Sequence, residues 1–205
     1  MQIQIMKQEN NHIGLFSLRI FLLPGEQTTL HIHEPRYLQL IMECLSNEVE
    51  FGIPYQGKTT LTEFGSLVFV KQVLKNYDNG ELDILVECKQ NFKLNHYEGQ
   101  TEGKLYPAGT ITLLRSIEHP LNKELIDHIG KYLQLLHGDS FNDDLHEMLG
   151  IKNIVKMLNL KDDEKLRFMK ITDEQRQNDF LLRKTRYMTI LLEQERKVDQ
   201  NFYLN

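Results

Sequence analysis

Residues 30–37, LHIHEPRY, are the most informative part of the sequence. The first three of them end a short apolar run, residues 28–32, of the kind that forms a strand. Glu34 and Pro35 then open a helix, because proline is tolerated at the first helical position, where its missing N–H would be unpaired. Four apolar residues at helical spacing predict a single apolar helix face, formed by Leu38, Ile41, Met42 and Leu45. The stretch therefore predicts a strand joined directly to an amphipathic helix.

Further strands are predicted on both sides of this stretch. An earlier apolar run covers residues 12–18, and residues 49–53 and 67–74 have the alternation or the β-branched and aromatic content of strands. The turn at 78–80, Asp-Asn-Gly, predicts a tight hairpin, since Asn and Gly accept the positive φ that it needs. On the return strand Leu82, Ile84 and Val86 alternate with residues 83, 85 and 87, which predicts a strand with one buried face. With residues 92–94 and 110–114, we count six or seven strands and one helix before residue 118. That number suffices for a small closed or half-closed barrel.

The composition changes near Pro120. All five prolines and nine of the twelve glycines lie at or before that residue. Proline and glycine punctuate strands and turns, so their scarcity afterwards favours long helices. Helical periodicity covers residues 121–137, 145–158 and 162–170, and a last helix is predicted from Thr172, with a capping box to Gln175, to about Val198. The predicted domains are therefore 1–118, a β-barrel, and 119–205, a helical bundle.

Charge and composition exclude several classes of protein. The formal net charge is −5, which argues against non-specific nucleic-acid binding. A basic cluster at 183–186 is interpreted as a solvated helix face, because acidic residues accompany it. No apolar run approaches the roughly 20 residues of a membrane span, and residues 1–11 lack the features of a secretory signal. Two isolated cysteines favour a reducing cytoplasm, which is the predicted location.

Three patterns have the residue types of a chemical site, but we interpret each of them as structural. Residues 52–59, GIPYQGKT, match the phosphate-loop pattern, but no buried strand precedes them and no helix follows, so a hairpin loop is predicted. His31 and His33 share a strand face and can bind a metal, but no third ligand is identifiable. Cys44 and Cys88 lack a neighbouring base that would make either a nucleophile. No cofactor and no metal are therefore expected.

Three blocks of sequence form a pattern: LFSL at 15–18, LPG at 23–25 and LHIHEPRY at 30–37, of which the last is the most specific. This pattern resembles the amino-terminal substrate-binding domain of Lon ATP-dependent proteases. Supporting similarity continues through residues 51–53, Gly65-Ser66, the 78–80 turn, Phe92 and the helical part. The chain departs from the family pattern at Ser17, His33, Cys88 and Asn91.

The resemblance implies an α+β fold, a PUA-like small β-barrel followed by an α-helical bundle. It also implies that residues 52–59 bind no nucleotide. A full Lon protease adds an ATPase module and a Ser–Lys peptidase, for which 205 residues leave no room. The expected protein is therefore a stand-alone, non-catalytic module and not an enzyme.

Family resemblance also implies the function and the partners. The main hypothesis is binding of unfolded or exposed polypeptide segments, with addition of an extended segment to a barrel edge as one route. An ATP-dependent protease or a chaperone is a candidate partner, and no membrane is involved. The alternative is a PUA-like RNA-binding protein. The predicted peptide-binding residues are Leu15, Phe16, Phe21, Leu22 and Leu23. A structural role is predicted for the motif residues His31, Glu34, Pro35, Arg36 and Tyr37.

Overall fold

The structure, a computed structural model, describes residues 11–57, 60–99, 102–138 and 150–202. The chain divides into two compact units, Met1–Ser116 and Ile117–Asn205. The domain assignment at 118/119 stays a prediction. Among the described helices, none is long and apolar enough to cross a membrane. The predictions for residues 1–10 and for 145–149 lie outside the described residues.

The first unit contains one helix and one antiparallel sheet in its described part. The helix α1 is Pro35–Asn47. Six strands form the sheet: β1 (Asn11–Gly14), β2 (Gln27–Ile32), β3 (Phe51–Gln56), β4 (Leu61–Asn76), β5 (Leu82–Glu98) and β6 (Ala108–Leu113). The number and order of elements agree with the sequence prediction, except that residues 82–98 form one long strand where two were expected.

The sheet is not a closed barrel. Its strand order is β1-β6-β5-β4-β3, and β2 pairs with the first half of β5. Between the two ends of the sheet there are two isolated parallel bridges, Leu15 to Gly52 and Leu18 to Tyr55, in place of a strand. The Phe16 N–H donates to the Gly52 carbonyl over 2.8 Å. The half-closed form of the predicted barrel is therefore the one observed.

The core of this unit lies between α1 and the concave face of the sheet. Alternate residues of β5 point into it and are buried, as the alternation predicts: Leu82, Ile84 and Val86. A second cluster is centred on Phe92. A Cβ at Gly65 would lie 2.4 Å from the Phe92 ring, so only glycine fits at that position. The absent side chain lets a large aromatic ring pack directly on β4.

Helix α1 buries a different face from the predicted one. The buried residues are Tyr37, Leu40, Ile41 and Cys44. Met42 is 53% exposed and Leu45 is 36% exposed, so two residues of the predicted face point to solvent. On the observed buried face the Tyr37 ring stacks on Phe16, with ring centroids 3.9 Å apart. A periodicity based on aliphatic residues alone leaves out both Tyr37 and Cys44.

The β4–β5 hairpin turns where the sequence predicts. The Tyr77 N–H donates to the Glu81 carbonyl, and Gly80 has φ +87°. The pairing of β4 with β5 is irregular at three places, Leu67/Val68, Val70/Gln72 and Val73/Lys75. Such bulges increase the local twist of the strand.

The second unit is helical throughout its described elements. These are α2 (Lys123–His137), α3 (Ile151–Met157), α4 (Asp162–Met169) and α5 (Glu174–Phe202). The predicted caps are wrong by one residue in two helices. Asp173, not Thr172, accepts a hydrogen bond from the Arg176 N–H, and α4 begins at the predicted cap residue Asp162. A sequence offers several capping side chains close together, and only the local backbone selects one.

Candidate functional site

The five predicted peptide-binding residues lie in the protein's interior. The exposed fraction is 0% for Phe21 and 8% or less for the others, Leu15, Phe16, Leu22 and Leu23. Phe16 and Leu22 belong to the core cluster that includes residues of α1 and β5. In this conformation they contact the protein itself. Peptide binding by these residues stays a prediction, and it would require the segment to leave its place.

Buried polar side chains hold that segment at Leu22. The Ser66 hydroxyl accepts a hydrogen bond from the Leu22 N–H and donates one to the Leu22 carbonyl, each over 2.9 Å. The Asn91 amide donates to the same carbonyl over 2.8 Å, and the Cys88 thiol approaches it at 3.4 Å. Ser66 and Asn91 are almost fully buried. This Leu22 clamp satisfies the main chain of an irregular segment inside the protein.

Sequence reasoning missed the Leu22 clamp. Its members are distant in the chain, and each is a common residue type. The available signal is their placement in strands: Ser66 and Asn91 are paired across β4 and β5. A pair of polar residues at inward positions of neighbouring strands needs a hydrogen-bond partner inside the protein.

The motif residue His31 lies on the exposed face of β2, between two carboxylates. Its Nδ1 lies 2.7 Å from Asp83 Oδ1, and its Nε2 lies 3.3 Å from Glu81 Oε2. Hydrogen bonds from His31 and Tyr77 lower the pKa of Asp83. The His33 ring stacks beside His31, with centroids 5.7 Å apart. Within the described residues, no three His, Cys, Asp or Glu side chains are grouped so that they could hold a metal ion.

The rest of the motif forms the start of α1. Pro35 is the first residue of the helix. Glu34 pairs with Arg36 at 2.7 Å, and the Arg36 guanidinium lies 4.5 Å from the centroid of the Tyr37 ring. Tyr37 in turn stacks on Phe16. These contacts are local to the helix start and to the buried segment before β2.

A second connection, also missed from sequence, joins α1 to the segment before β6. The Glu43 carboxylate pairs with Lys104 and accepts a hydrogen bond from the Tyr106 hydroxyl over 2.7 Å. Hydrogen bonds from Lys104 and Tyr106 lower the pKa of Glu43. Two contacts therefore hold α1 in place: Tyr37 on Phe16 in the first turn, and Glu43 with Lys104 and Tyr106 further along the helix.

The phosphate-loop pattern and the two cysteines occupy structural positions. Residues 52–56 lie in β3 and pair with β4, so the predicted hairpin loop is wrong for this part of the phosphate-loop pattern, which is strand. Lys58 and Thr59 lie outside the described residues. Burial raises the pKa of the Cys44 thiol to about 11 and that of Cys88 to about 12. Neither thiol is ionised at neutral pH, and only a thiolate is a good nucleophile.

The basic cluster on α5 is partly neutralised. Lys184 pairs with both Glu164 oxygens at 2.9 Å, and Arg186 pairs with Glu124 at 2.6 Å. Cations already paired with carboxylates are poor ligands for phosphate. This arrangement is typical of a solvated helix face.

The described part of the sheet has open edges along β2, along the second half of β4 and along the end strand β1, which pairs only with β6. Strand β2 pairs only with β5, in an unbroken register from Gln27 with Glu87 to Ile32 with Leu82. The second half of β4, residues 69–76, also pairs only with β5. An open edge presents main-chain N–H and C=O groups to which another strand can bind.

The family model for the ATP-dependent protease La (LON) substrate-binding domain matches residues 12–185. No curated protein sequence matches this chain. The structure is similar to the crystal structure of a Lon N-terminal domain protein from Xanthomonas campestris, with TM-score 0.64 and 19% identity, covering 84% of this chain and 97% of that one. It is also similar to the N-terminal domain of Mycobacterium avium complex Lon protease, with TM-score 0.61 and 12% identity, covering 85% and 98% of the two chains.

At these identities the two solved structures establish the fold alone, and they confirm the predicted fold class. The family model covers most of the chain and includes the 15–18, 23–25 and 30–37 blocks on which the resemblance was based. The chain therefore belongs to the family of LON substrate-binding domains.

Proposed function

We propose that this protein binds unfolded or exposed segments of other polypeptides and does not cut them. The observation that carries the proposal is the family match, which covers residues 12–185 and concerns a domain that binds substrates for a protease. In this proposal the protein supplies recognition, and an ATP-dependent protease or a chaperone in the same cytoplasm acts on the bound polypeptide.

The state of the nucleophile candidates supports a non-catalytic role. Both cysteine thiols are buried, and burial raises the pKa of each. The glycine-containing stretch that resembles a phosphate loop is strand over residues 52–56, and Gly52 packs against Leu15 and Phe92. A phosphate cradle needs main-chain N–H groups that point into an open loop.

Binding to an unfolded protein tests the proposal directly. Reduced, carboxymethylated α-lactalbumin carries a fluorescent label, and its anisotropy is measured as the full chain is added. Native α-lactalbumin with the same label is the matched control, because it has the same sequence without exposed segments. We expect binding to the unfolded form at micromolar concentrations and none to the native form.

Two outcomes would contradict the proposal. One is the absence of binding at about 100 μM, which corresponds to a binding free energy weaker than about −5.5 kcal/mol. The other is tighter binding to labelled single-stranded RNA that weakens steeply with salt, since this would favour the nucleic-acid alternative.

A further inference from the structure

We infer that the outer edge of β2, residues 27–32, is the place where an extended polypeptide segment adds to the sheet as a further antiparallel or parallel strand. This inference rests on the proposed function and gives it a location and a preferred substrate chemistry. The segment it fits has apolar residues on one face and carries no net negative charge.

The main chain of β2 alternates between bonded and open residues. The Cys88 N–H donates to the Glu26 carbonyl over 2.9 Å, at the start of the β2–β5 ladder. Hydrogen-bonded pairs alternate along an antiparallel ladder. Thr28, Leu30 and Ile32 therefore direct their main-chain groups at β5. Gln27, Thr29 and His31 direct theirs at the open edge, and no described residue hydrogen-bonds to them there.

The open edge of β4 has features that discourage strand addition, and the edge of β2 lacks them. Two bulges interrupt its pairing between Val70 and Lys75, and Lys71 and Lys75 are exposed along it. Bulges and lysines are the devices by which proteins protect an edge from unwanted pairing. Residues 27–32 contain no lysine and no proline, and their register is unbroken. Of these two edges β2 is the regular one, and it is longer than the four described residues of the third open edge, β1.

The side chains of β2 determine which face of the added segment should be apolar and which should be polar. Leu30 is half-buried and packs against the core cluster, whereas Thr29 and His31 are exposed on the opposite face. Side chains directly opposite each other on neighbouring strands lie on the same face and contact each other. An apolar residue opposite Leu30 would cover its exposed part, while polar residues fit beside Thr29 and His31.

Charge favours a foreign peptide over a second copy of this chain. Five carboxylates lie on or beside β2 and its neighbouring strand and turn: Glu26, Glu34, Glu81, Asp83 and Glu87. Arg36 pairs with Glu34 and Lys71 pairs with Glu87, and the other three carboxylates leave this surface acidic. Two copies paired through β2 would place two such acidic surfaces side by side. Like charges directly opposite each other across strands are destabilising. A neutral or basic segment avoids this repulsion.

The test uses the full chain and a defined probe. The probe is a fluorescein-labelled peptide of alternating valine and threonine with a lysine at each end, and its counterpart has glutamates in place of the lysines. We compare the wild-type protein with Thr29→Pro, which removes an N–H that points away from β5, and with Thr29→Ser, which keeps it. We expect Thr29→Pro to weaken binding of the basic peptide by about tenfold or more, with Thr29→Ser unchanged and the acidic peptide bound more weakly.

Amide hydrogen exchange gives a second measurement that does not depend on the proline variant folding. In the wild-type protein, saturation with the basic peptide is expected to slow exchange at Gln27, Thr29 and His31. Thr28, Leu30 and Ile32 serve as internal controls, because they are already bonded to β5.

The failure of this inference is distinguishable from the failure of the proposed function. If unfolded α-lactalbumin and the basic peptide bind wild type and Thr29→Pro equally, and exchange at the three open residues is unchanged, the β2 site is overturned and the general function stands. If neither probe binds the wild-type protein, both are overturned. If the wild-type protein is a dimer that Thr29→Pro converts to a monomer, the edge joins copies of the chain and the inference is overturned.

Discussion

The segment 15–23 and the strand 27–32 are neighbours in the chain but use their polar and apolar groups in opposite ways. In the first, Leu15, Phe16 and residues 21–23 are buried in the core, and the Leu22 main chain is held by Ser66 and Asn91. The second has ordinary side chains, yet half of its main-chain groups are open. Apolar content alone therefore does not locate a binding surface. Groups without a partner inside the fold are the better guide.

The largest expected effect is that of Phe21→Ala, which tests whether segment 15–23 belongs to the stable core. Phe21 is completely buried and meets the Tyr55 ring edge-on, with centroids 6.0 Å apart. Removing a buried ring loses transfer free energy and leaves a cavity, so we expect unfolding to become easier by about 3–5 kcal/mol. Urea denaturation measures the change. Met42→Ala, at an exposed position of α1, is the matched control and should change stability by less than about 0.5 kcal/mol. A small loss for Phe21→Ala would mean that segment 15–23 is not part of the stable core.

The second prediction concerns the Leu22 clamp. Ser66→Ala leaves the buried Leu22 N–H without an acceptor, while Asn91 still donates to the Leu22 carbonyl. We expect a loss of about 1–3 kcal/mol in the free energy of unfolding, the usual penalty for an unsatisfied buried polar group. Ser46→Ala, at an exposed helix position, controls for the loss of a hydroxyl. Equal stability of the two variants would argue against the clamp.

The third prediction is a pH dependence that arises at Cys88 and Cys44. Burial raises the pKa of both thiols, from 9.0 to about 12 and about 11 respectively. Above about pH 9 the unfolded state releases these protons while the folded state keeps them, so the unfolded state binds fewer protons and stability falls as pH rises. The contribution is fully present below pH 9 and disappears as pH approaches the folded values.

Chemical denaturation between pH 8 and pH 11 measures this slope. The Cys44→Ala/Cys88→Ala variant should have a shallower alkaline slope than wild type, because its remaining titrating groups are the same. At pH 8 the wild-type thiols should also react with a disulfide reagent only after unfolding. Rapid reaction of the native protein would show that the Leu22 region opens readily.

The smallest expected effect belongs to the open strand. Thr29→Ala changes an exposed side chain on β2 and leaves the main chain intact, so stability should change by less than about 0.5 kcal/mol. Thermal unfolding followed by circular dichroism measures it. Together with Phe21→Ala, this variant compares the stability contribution of a residue on the open strand β2 with that of a residue in the buried segment 15–23. A loss comparable to that of Phe21→Ala would mean that the β2 edge is covered.

Local signals predicted the architecture of the first unit well. The start of α1 at Pro35 follows from its missing N–H, the 78–80 turn from the φ preference of Asn-Gly, and the inward face of β5 from strict alternation. Each of these depends on neighbours within a few residues. Local physics is sufficient in such cases, and the structure confirms all three.

The less successful predictions depend on contacts between distant residues. The buried face of α1 is selected by the stacking of Tyr37 on Phe16, and the Leu22 clamp joins residues 44 and 69 positions apart. Apolar residues such as the five proposed for peptide binding occur both in core segments and in exposed binding patches. Only the fold distinguishes these two, because it determines what surrounds them.

The two adjacent residues Leu15 and Phe16 have a kinetic consequence for folding. The Leu15 N–H donates to the Pro107 carbonyl, and the Phe16 N–H donates to the Gly52 carbonyl, so one short segment joins opposite ends of the sheet. Contacts between residues so far apart require closure of large loops, which slows folding. The local β4–β5 hairpin can form early, but residues 15–18 must wait until the chain has been made past residue 107. During synthesis, residues 15–18 therefore cannot complete these contacts until residue 107 has left the ribosome.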